Sequence, residues 1–196
     1  MFLVLPAIFA NQLAQYNPRV GKLSERLIPP AWADGEIVDG IVVHKPGTWA
    51  HPLGTDKQGR DVLTRVIYGA RVSLTVAVIS IILAGCVGTT LGLMAGYFGG
   101  ILDHLIMRMV DFCISFPAIL FALVLSIALG PSFQTVIIVI VAIFWARYAR
   151  LIRGETLAIK NQDYVSRARV AGASNSRIMA RHIFPNAVSY THLRAH

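Results

Sequence analysis

The side chains that could do chemistry here gather in three places along the chain. The first is His51, Asp56, Arg60 and Asp61, set in His51-Pro52-Leu53-Gly54-Thr55-Asp56-Lys57-Gln58-Gly59-Arg60-Asp61-Val62-Leu63. An imidazole with two carboxylates is the donor set of a metal site or of general acid–base work. The Gly, Pro, Thr and Asp around them are also the composition of a hydrogen-bonded loop, and by spacing alone the loop is the expected role. The second is Asp103, His104, Arg108 and Asp111. Ionisable groups inside a membrane span are functional candidates by default. These four stand at the edge of an apolar stretch, where interfacial anchoring or an ion pair is expected rather than a proton relay. The third is the basic segment from Arg153 to Asn186. Cys86 and Cys113 lack any paired spacing and are expected to be inert packing residues. The apolar stretches hold no G-x-S-x-G, no H-E-x-x-H and no paired acidic cluster, and the chain has no G-x-x-x-x-G-K-[ST] phosphate loop. No catalytic residue, metal ligand or cofactor is therefore expected.

The elements that must position these groups are set by where charge is missing. Val72 to Leu102 is thirty-one residues without a charge, and Phe112 to Ala146 is thirty-five. A helix crosses a bilayer core in about 20 residues. The first gap is expected to hold one span, most apolar from Val72 to Met94, with a Gly-rich exit. The second is expected to hold two, Met107 to Leu129 and Phe133 to Tyr148, parted at Leu129-Gly130-Pro131-Ser132. Met1 to Ala10 is apolar without a basic residue before it, and reads as a truncated first transmembrane helix rather than a signal peptide. In all, 55% of the 196 residues are apolar and only 14% charged, a poor composition for a water-soluble surface. The net charge of +8 leaves nucleic acid or an anionic membrane face as partners until the bases are placed. Arg147 to Asn186 carries eight bases against two acids, whereas Asn11 to Arg71 carries eight against six. The positive-inside rule then assigns the basic segment to the cytoplasm and Asn11 to Arg71 to the opposite side. The basic excess needs no nucleic-acid partner.

Residues 61–71 have apolar side chains at Val62, Leu63, Val66 and Ile67, the pattern of an interfacial helix before the span. Within the span, Gly85, Gly88, Gly92 and Gly96 are expected to admit a close helix neighbour, through the overlapping pairs Gly88/Gly92 and Gly92/Gly96. Asp163 to Ala171 reads as a helix, Gly172 as its C-terminal cap, and Ser174 or Asn175 as the cap of a second helix running to Pro185. On that helix Ile178, Met179, His182 and Ile183 share one face, with Arg177 and Arg181 on another. Such an elbow is longer than a connection requires. It presents a surface either to a partly acidic cytoplasmic protein or to anionic membrane lipid.

The sequence at this point resembles the membrane-spanning permease subunits of bacterial ATP-binding cassette importers, in the branch for dipeptides, oligopeptides and nickel. That family's cytoplasmic signature is Glu-Ala-Ala, three residues, Gly, nine residues, then Ile-x-Leu-Pro. Here it reads Ser166-Arg167-Ala168, Gly172 and His182-Ile183-Phe184-Pro185. Ala168, Gly172 and Pro185 match in register, while Ser166 and Arg167 depart from Glu-Ala. HPLGTDKQGRDVL (His51 to Leu63), YGARVSL (Tyr68 to Leu74) and GLMAGYFGGILD (Gly92 to Asp103) also resemble the branch. The resemblance implies an all-α polytopic membrane bundle of the type I importer class, incomplete by its last two helices. It implies as partners a homologous second permease, two ATP-binding cassette ATPase subunits, an extracytoplasmic substrate-binding protein and membrane lipid. The expected organisation is 1–10 truncated first helix, 11–71 extracytoplasmic loop and interfacial helix, 72–152 three spans, and 153–186 coupling loop. Residues 187–196 are expected to be a non-native tail, so His192 and His196 are set aside as metal ligands. The ATPase-coupling residues implied are Asp163, Ser166, Arg167, Ala168, Gly172, Ala173, Ser174, Arg177, Arg181 and Pro185. ATP hydrolysis would reside on the partner. A membrane-embedded enzyme or a lipid-binding scaffold is the competing expectation.

Overall fold

The computed structural model describes residues 4–38, 41–44 and 46–187. Of the expected tail, 187–196, residues 188–196 lie outside the described residues, whereas Ala187 is buried with the helical segment that precedes it. The chain divides into two compact units, Met1–Thr75 and Val76–His196.

The first unit opens with two short helices, α1 (Val4–Ile8) and α2 (Ala10–Leu13), followed by loops and a single 3-10 turn at Leu23–Glu25. An antiparallel hairpin, β1 (Glu36–Val38) with β2 (Ile41–His44), pairs Ile37 with Val42 and Val38 with Ile41. It is a small addition to an otherwise helical chain. It lies in a stretch expected to be loop, and the sequence reading does not anticipate it.

The longest helix, α3, runs from Val62 to Phe98, 37 residues without a break. The expected interfacial helix and first span are thus one element, because no Pro intervenes and the apolar pattern continues through both. At 1.5 Å per residue it is about 55 Å long, well beyond the ~30 Å core of a bilayer. It ends at Gly99 and Gly100, both at positive φ (66° and 58°), a pair of turns that residues with a Cβ adopt only at a cost.

In the second unit, α4 (Gly100–Ser115) and α5 (Ala118–Leu129) take the place of the single span expected over Met107 to Leu129. They meet at 94°. Phe116 is extended (φ −85°, ψ 139°), the conformation that a following proline, here Pro117, imposes. After the Gly130-Pro131 turn, Ser132 caps α6 (Phe133–Ile159) by accepting from the Thr135 amide at 3.0 Å. The helix continues eleven residues past Tyr148, so Arg147, Arg150 and Arg153 all lie on it. Beyond it come α7 (Asp163–Val170), α8 (Asn175–Ile178) and a π-helical turn at Met179–Ile183.

α3 and α6 are each long and apolar enough to cross a membrane, and the bent α4–α5 pair makes a third candidate if taken as one span. Their apolar side chains are largely outward: no residue of α5 is buried, and Val78, Ile81, Ile82 and Leu83 of α3 are exposed. Water would penalise that surface, whereas lipid chains accept it. The core that does exist lies between helices, with Ala95, Ile106, Val110, Ala146 and Ala149 packed together where α3, α4 and α6 meet.

Candidate functional site: an elbow held on a helix stem

The elbow is built as two helical pieces folded about one glycine. Gly172 has φ 78°, its amide donates to the Arg169 carbonyl at 3.0 Å, and the Ala173 amide donates to the Ala168 carbonyl at 3.1 Å. Those two bonds are the Schellman termination of a helix, and Ala168 and Ala173 supply its accompanying apolar contact. Ser174 then caps α8 by accepting from the Arg177 amide. Asp163 sits in the first turn of α7 and Arg167 and Arg169 in its last, each on the end where the helix dipole favours its charge.

Inside the elbow, Ile159, Val165, Ile178, Ile183 and Ala187 are buried together and rest against Leu93 and Tyr97 of α3. The Tyr97 hydroxyl donates to Asn175 Oδ1 at 2.8 Å, and the Arg169 guanidinium lies 5.8 Å over the Tyr97 ring. Lys160 Nζ donates to the Gly96 carbonyl at 2.9 Å. The outer face carries Asp163, Ser166, Arg167, Gly172, Ser174, Arg177, Arg181 and Pro185, all exposed. Asp163, Ser166, Arg167, Val170 and Ala171 line a shallow groove of about 460 Å³ there. Val170, which the sequence pattern did not single out, is 89% exposed at its rim. Of the expected coupling residues, Ala168 and Ala173 face the interior instead, half-buried against the elbow core.

The stem is set by the glycines of α3. A methyl group at Gly88 would lie 2.4 Å from the Trp145 carbonyl oxygen, at Gly92 2.5 Å from that of Ala149, and at Gly96 2.7 Å from Thr156 Cβ. These three admit α6. Gly85 does not share the role: a methyl there meets nothing within 4 Å, and the residue lines an apolar groove with Cys86, Met179 and Phe184. Cys86 is exposed on α3, while Cys113 packs partly buried beside the three-helix core.

The second chemical cluster resolves as ion pairs. Arg153 donates to both oxygens of Asp103, from Nε at 2.5 Å and NH2 at 2.6 Å, and Arg150 pairs with Asp111. His104 Nδ1 is 2.7 Å from the Gly100 carbonyl oxygen. The arginine partners were not assigned from sequence, because they lie thirty-nine and fifty residues away on another helix.

The first cluster, in the other unit, is a structural loop. Asp61 accepts from the Thr64 amide at 2.7 Å, capping α3, and its other oxygen lies 2.9 Å from His51 Nδ1. His51 is buried, with Glu25 Oε2 3.5 Å from its Nε2. Among the described residues no group of three His, Cys, Asp or Glu converges as a metal site. Asp56 accepts from the Gln58 and Arg60 amides at 2.8 and 2.9 Å and from the Arg60 Nε at 2.8 Å, and it also pairs with Arg65. The Arg60 amide above all, helped by its guanidinium, holds the Asp56 carboxyl well below its ordinary value of 3.8. A carboxyl depressed by folding stabilises the fold above its unfolded value and loses that contribution as pH falls. Protection of the Gln58 and Arg60 amides against hydrogen exchange is expected to hold from pH 7 to about 4 and to fall below it. Asp56→Asn should remove this dependence.

Comparison with known proteins agrees with this architecture. Residues 88–192 match the family described as the binding-protein-dependent transport system inner membrane component. The dipeptide transport system permease protein of Haemophilus influenzae is 36% identical over 96% of this chain and 60% of its own length. The protein of the same description from Escherichia coli strain K12 is 44% identical over 93% of this chain and 57% of its own. A glutathione transport system permease protein of Pectobacterium atrosepticum is 40% identical over 71% and 46%. The chain spans at most 60% of the length of these relatives. With more than half of the chain inside the matched region, on helices apolar enough for a membrane, it belongs to the binding-protein-dependent transport system inner membrane component family.

Proposed function

We propose that this chain is part of a multi-pass permease subunit of an ATP-driven importer for dipeptides and oligopeptides in a bacterial inner membrane. It would line the translocation path with a homologous second permease, take substrate from an extracytoplasmic binding protein, and dock the elbow in one of two cytoplasmic ATPase subunits. Hydrolysis belongs to that partner, and the elbow receives its stroke. The peptide class rests on the similarity to the dipeptide transport permeases. The single observation that carries the coupling role is the two-sided elbow: an interior fixed to α3 by Val165, Ile178, Ile183 and Tyr97, and an outer groove around Val170 that no other described residue covers. A lipid-resting hairpin would be expected to turn its buried apolar face toward the membrane, whereas here that face is spent on the elbow's own core.

The test is disulfide cross-linking in the assembled importer. Val170→Cys, at the exposed rim, is expected to cross-link to a cysteine in the ATPase cleft and to do so differently with and without ATP. Ala173→Cys serves as the inward-facing control with a much lower yield. Equal yields from the two positions, or none from Val170→Cys in a complex shown to be assembled, would reject the docking role.

A further inference from the structure

The elbow is tied to the rest of the unit by polar contacts that are unevenly distributed. α6 leads directly into it, and the last part of that stem carries Arg150 and Arg153, both engaged by carboxylates of α4. The Arg153–Asp103 contact is a two-pronged fork, with side chains 31% and 14% exposed. A planar guanidinium held on both carboxylate oxygens fixes orientation as well as distance, which a single ammonium contact does not. α5 presents no such tie. It has no charged residue, runs beside α6, and is parted from α4 by the 94° break at Phe116-Pro117.

An applied displacement of α6 is therefore passed to α4 through a stiff directional link and to α5 through apolar contacts that can slide. The break lets the two respond separately, since no helical hydrogen-bond ladder crosses it. Where packed elements have two discrete arrangements, a stiff link of this sort converts a small movement at one site into a rearrangement at another.

Building on the importer reading above, we propose that Asp103 and Arg153 are a positioning pair that transmits elbow movement to α4, with Phe116-Pro117 as the joint between α4 and α5. Their proposed role is transmission between helices rather than contact with substrate or nucleotide. Their effect is on how much transport each hydrolysis event yields.

The experiment uses the complete importer, with both permeases, the ATPases and the binding protein, in proteoliposomes loaded with ATP. Dipeptide uptake and phosphate release are measured together. Asp103→Asn is expected to lower peptide taken up per ATP hydrolysed by roughly two- to thirtyfold, the range seen for residues within coupling networks, while hydrolysis persists. Arg153→Lys, which keeps the charge but loses the fork, should show a smaller loss in the same direction. The exchange Asp103→Arg with Arg153→Asp should recover the ratio to within about threefold, since a reversed fork retains the geometry. If Asp103→Asn disturbs assembly, Arg153→Lys alone decides. An unchanged uptake-to-hydrolysis ratio in an assembled variant overturns the proposal, even if both rates fall together. So does a reversed pair that assembles but stays uncoupled. A wild-type complex without ATP-dependent uptake would instead overturn the importer reading itself.

Discussion

Gly88→Ala and Gly92→Ala are expected to destabilise the subunit by about 1–3 kcal/mol each, the usual cost of overpacking, although each adds only one methyl group. The methyl would meet the main-chain oxygens of Trp145 and Ala149 at 2.4 and 2.5 Å, far inside contact distance. A main-chain carbonyl cannot rotate away as a side chain could, so α6 must retreat as a body. Its retreat would also loosen the cluster of Ala95, Ile106, Val110, Ala146 and Ala149, where α4 is seated. Gly85→Ala is the matched control, three residues away on the same helix with no atom within 4 Å of the added methyl. There the lower conformational entropy of alanine should leave stability unchanged or raise it by up to about 1 kcal/mol. Thermal unfolding in detergent checks the contrast. Trp145 fluorescence gives a local reading if Trp32 and Trp49 are replaced by Phe, since the chain has three tryptophans. Equal effects at Gly85 and Gly88 would show that helix propensity, rather than close approach, governs the helix.

The elbow and the helix stem were legible in the sequence because their determinants are local. Gly172 can end a helix in the left-handed region, Ser174 can cap the next, and both do so in the expected places. Gly88 and Gly92 were legible by their spacing, but the spacing does not say where the neighbour's contact ends, and Gly85 falls outside it. Hydropathy marks where a membrane can begin rather than where a helix begins. That is why α3 starts at Val62, under the Asp61 cap, and runs through the expected interfacial helix into the span without a break. The break at Pro117 carried its own signal, a proline that forces Phe116 out of the helical region, but an unbroken apolar run masks it when only charge is counted. The arginine–carboxylate pairs between α4 and α6 were not legible. Asp103 and Asp111 are eight residues apart on one helix, Arg150 and Arg153 three apart on another, and only the packing of Ile106 and Val110 with Ala146 and Ala149 brings them together.

Val170→Asp is expected to separate folding from coupling most sharply. Its side chain is 89% exposed at the rim of the outer groove and has no place in the elbow core, so the unfolding temperature of the subunit should stay within about 0.5 kcal/mol of wild type in equivalent stability. On the importer reading proposed above, uptake should nevertheless fall by about thirtyfold or more, the effect of losing roughly 2 kcal/mol at a docking contact. The reason is desolvation. In a closed cleft a carboxylate at an apolar contact would lose its water, a cost that Arg167, which lines the groove together with Asp163, offsets only in part. Val165→Asp provides the opposite control. Only five residues earlier, Val165 is fully buried among Ile159, Ile178 and Ile183, so a carboxylate there should prevent the elbow from forming and lower stability directly. A loss of uptake at Val165 with unfolding, and at Val170 without it, is the signature of a docked element. Full uptake by Val170→Asp would reject the proposal that this face docks a partner.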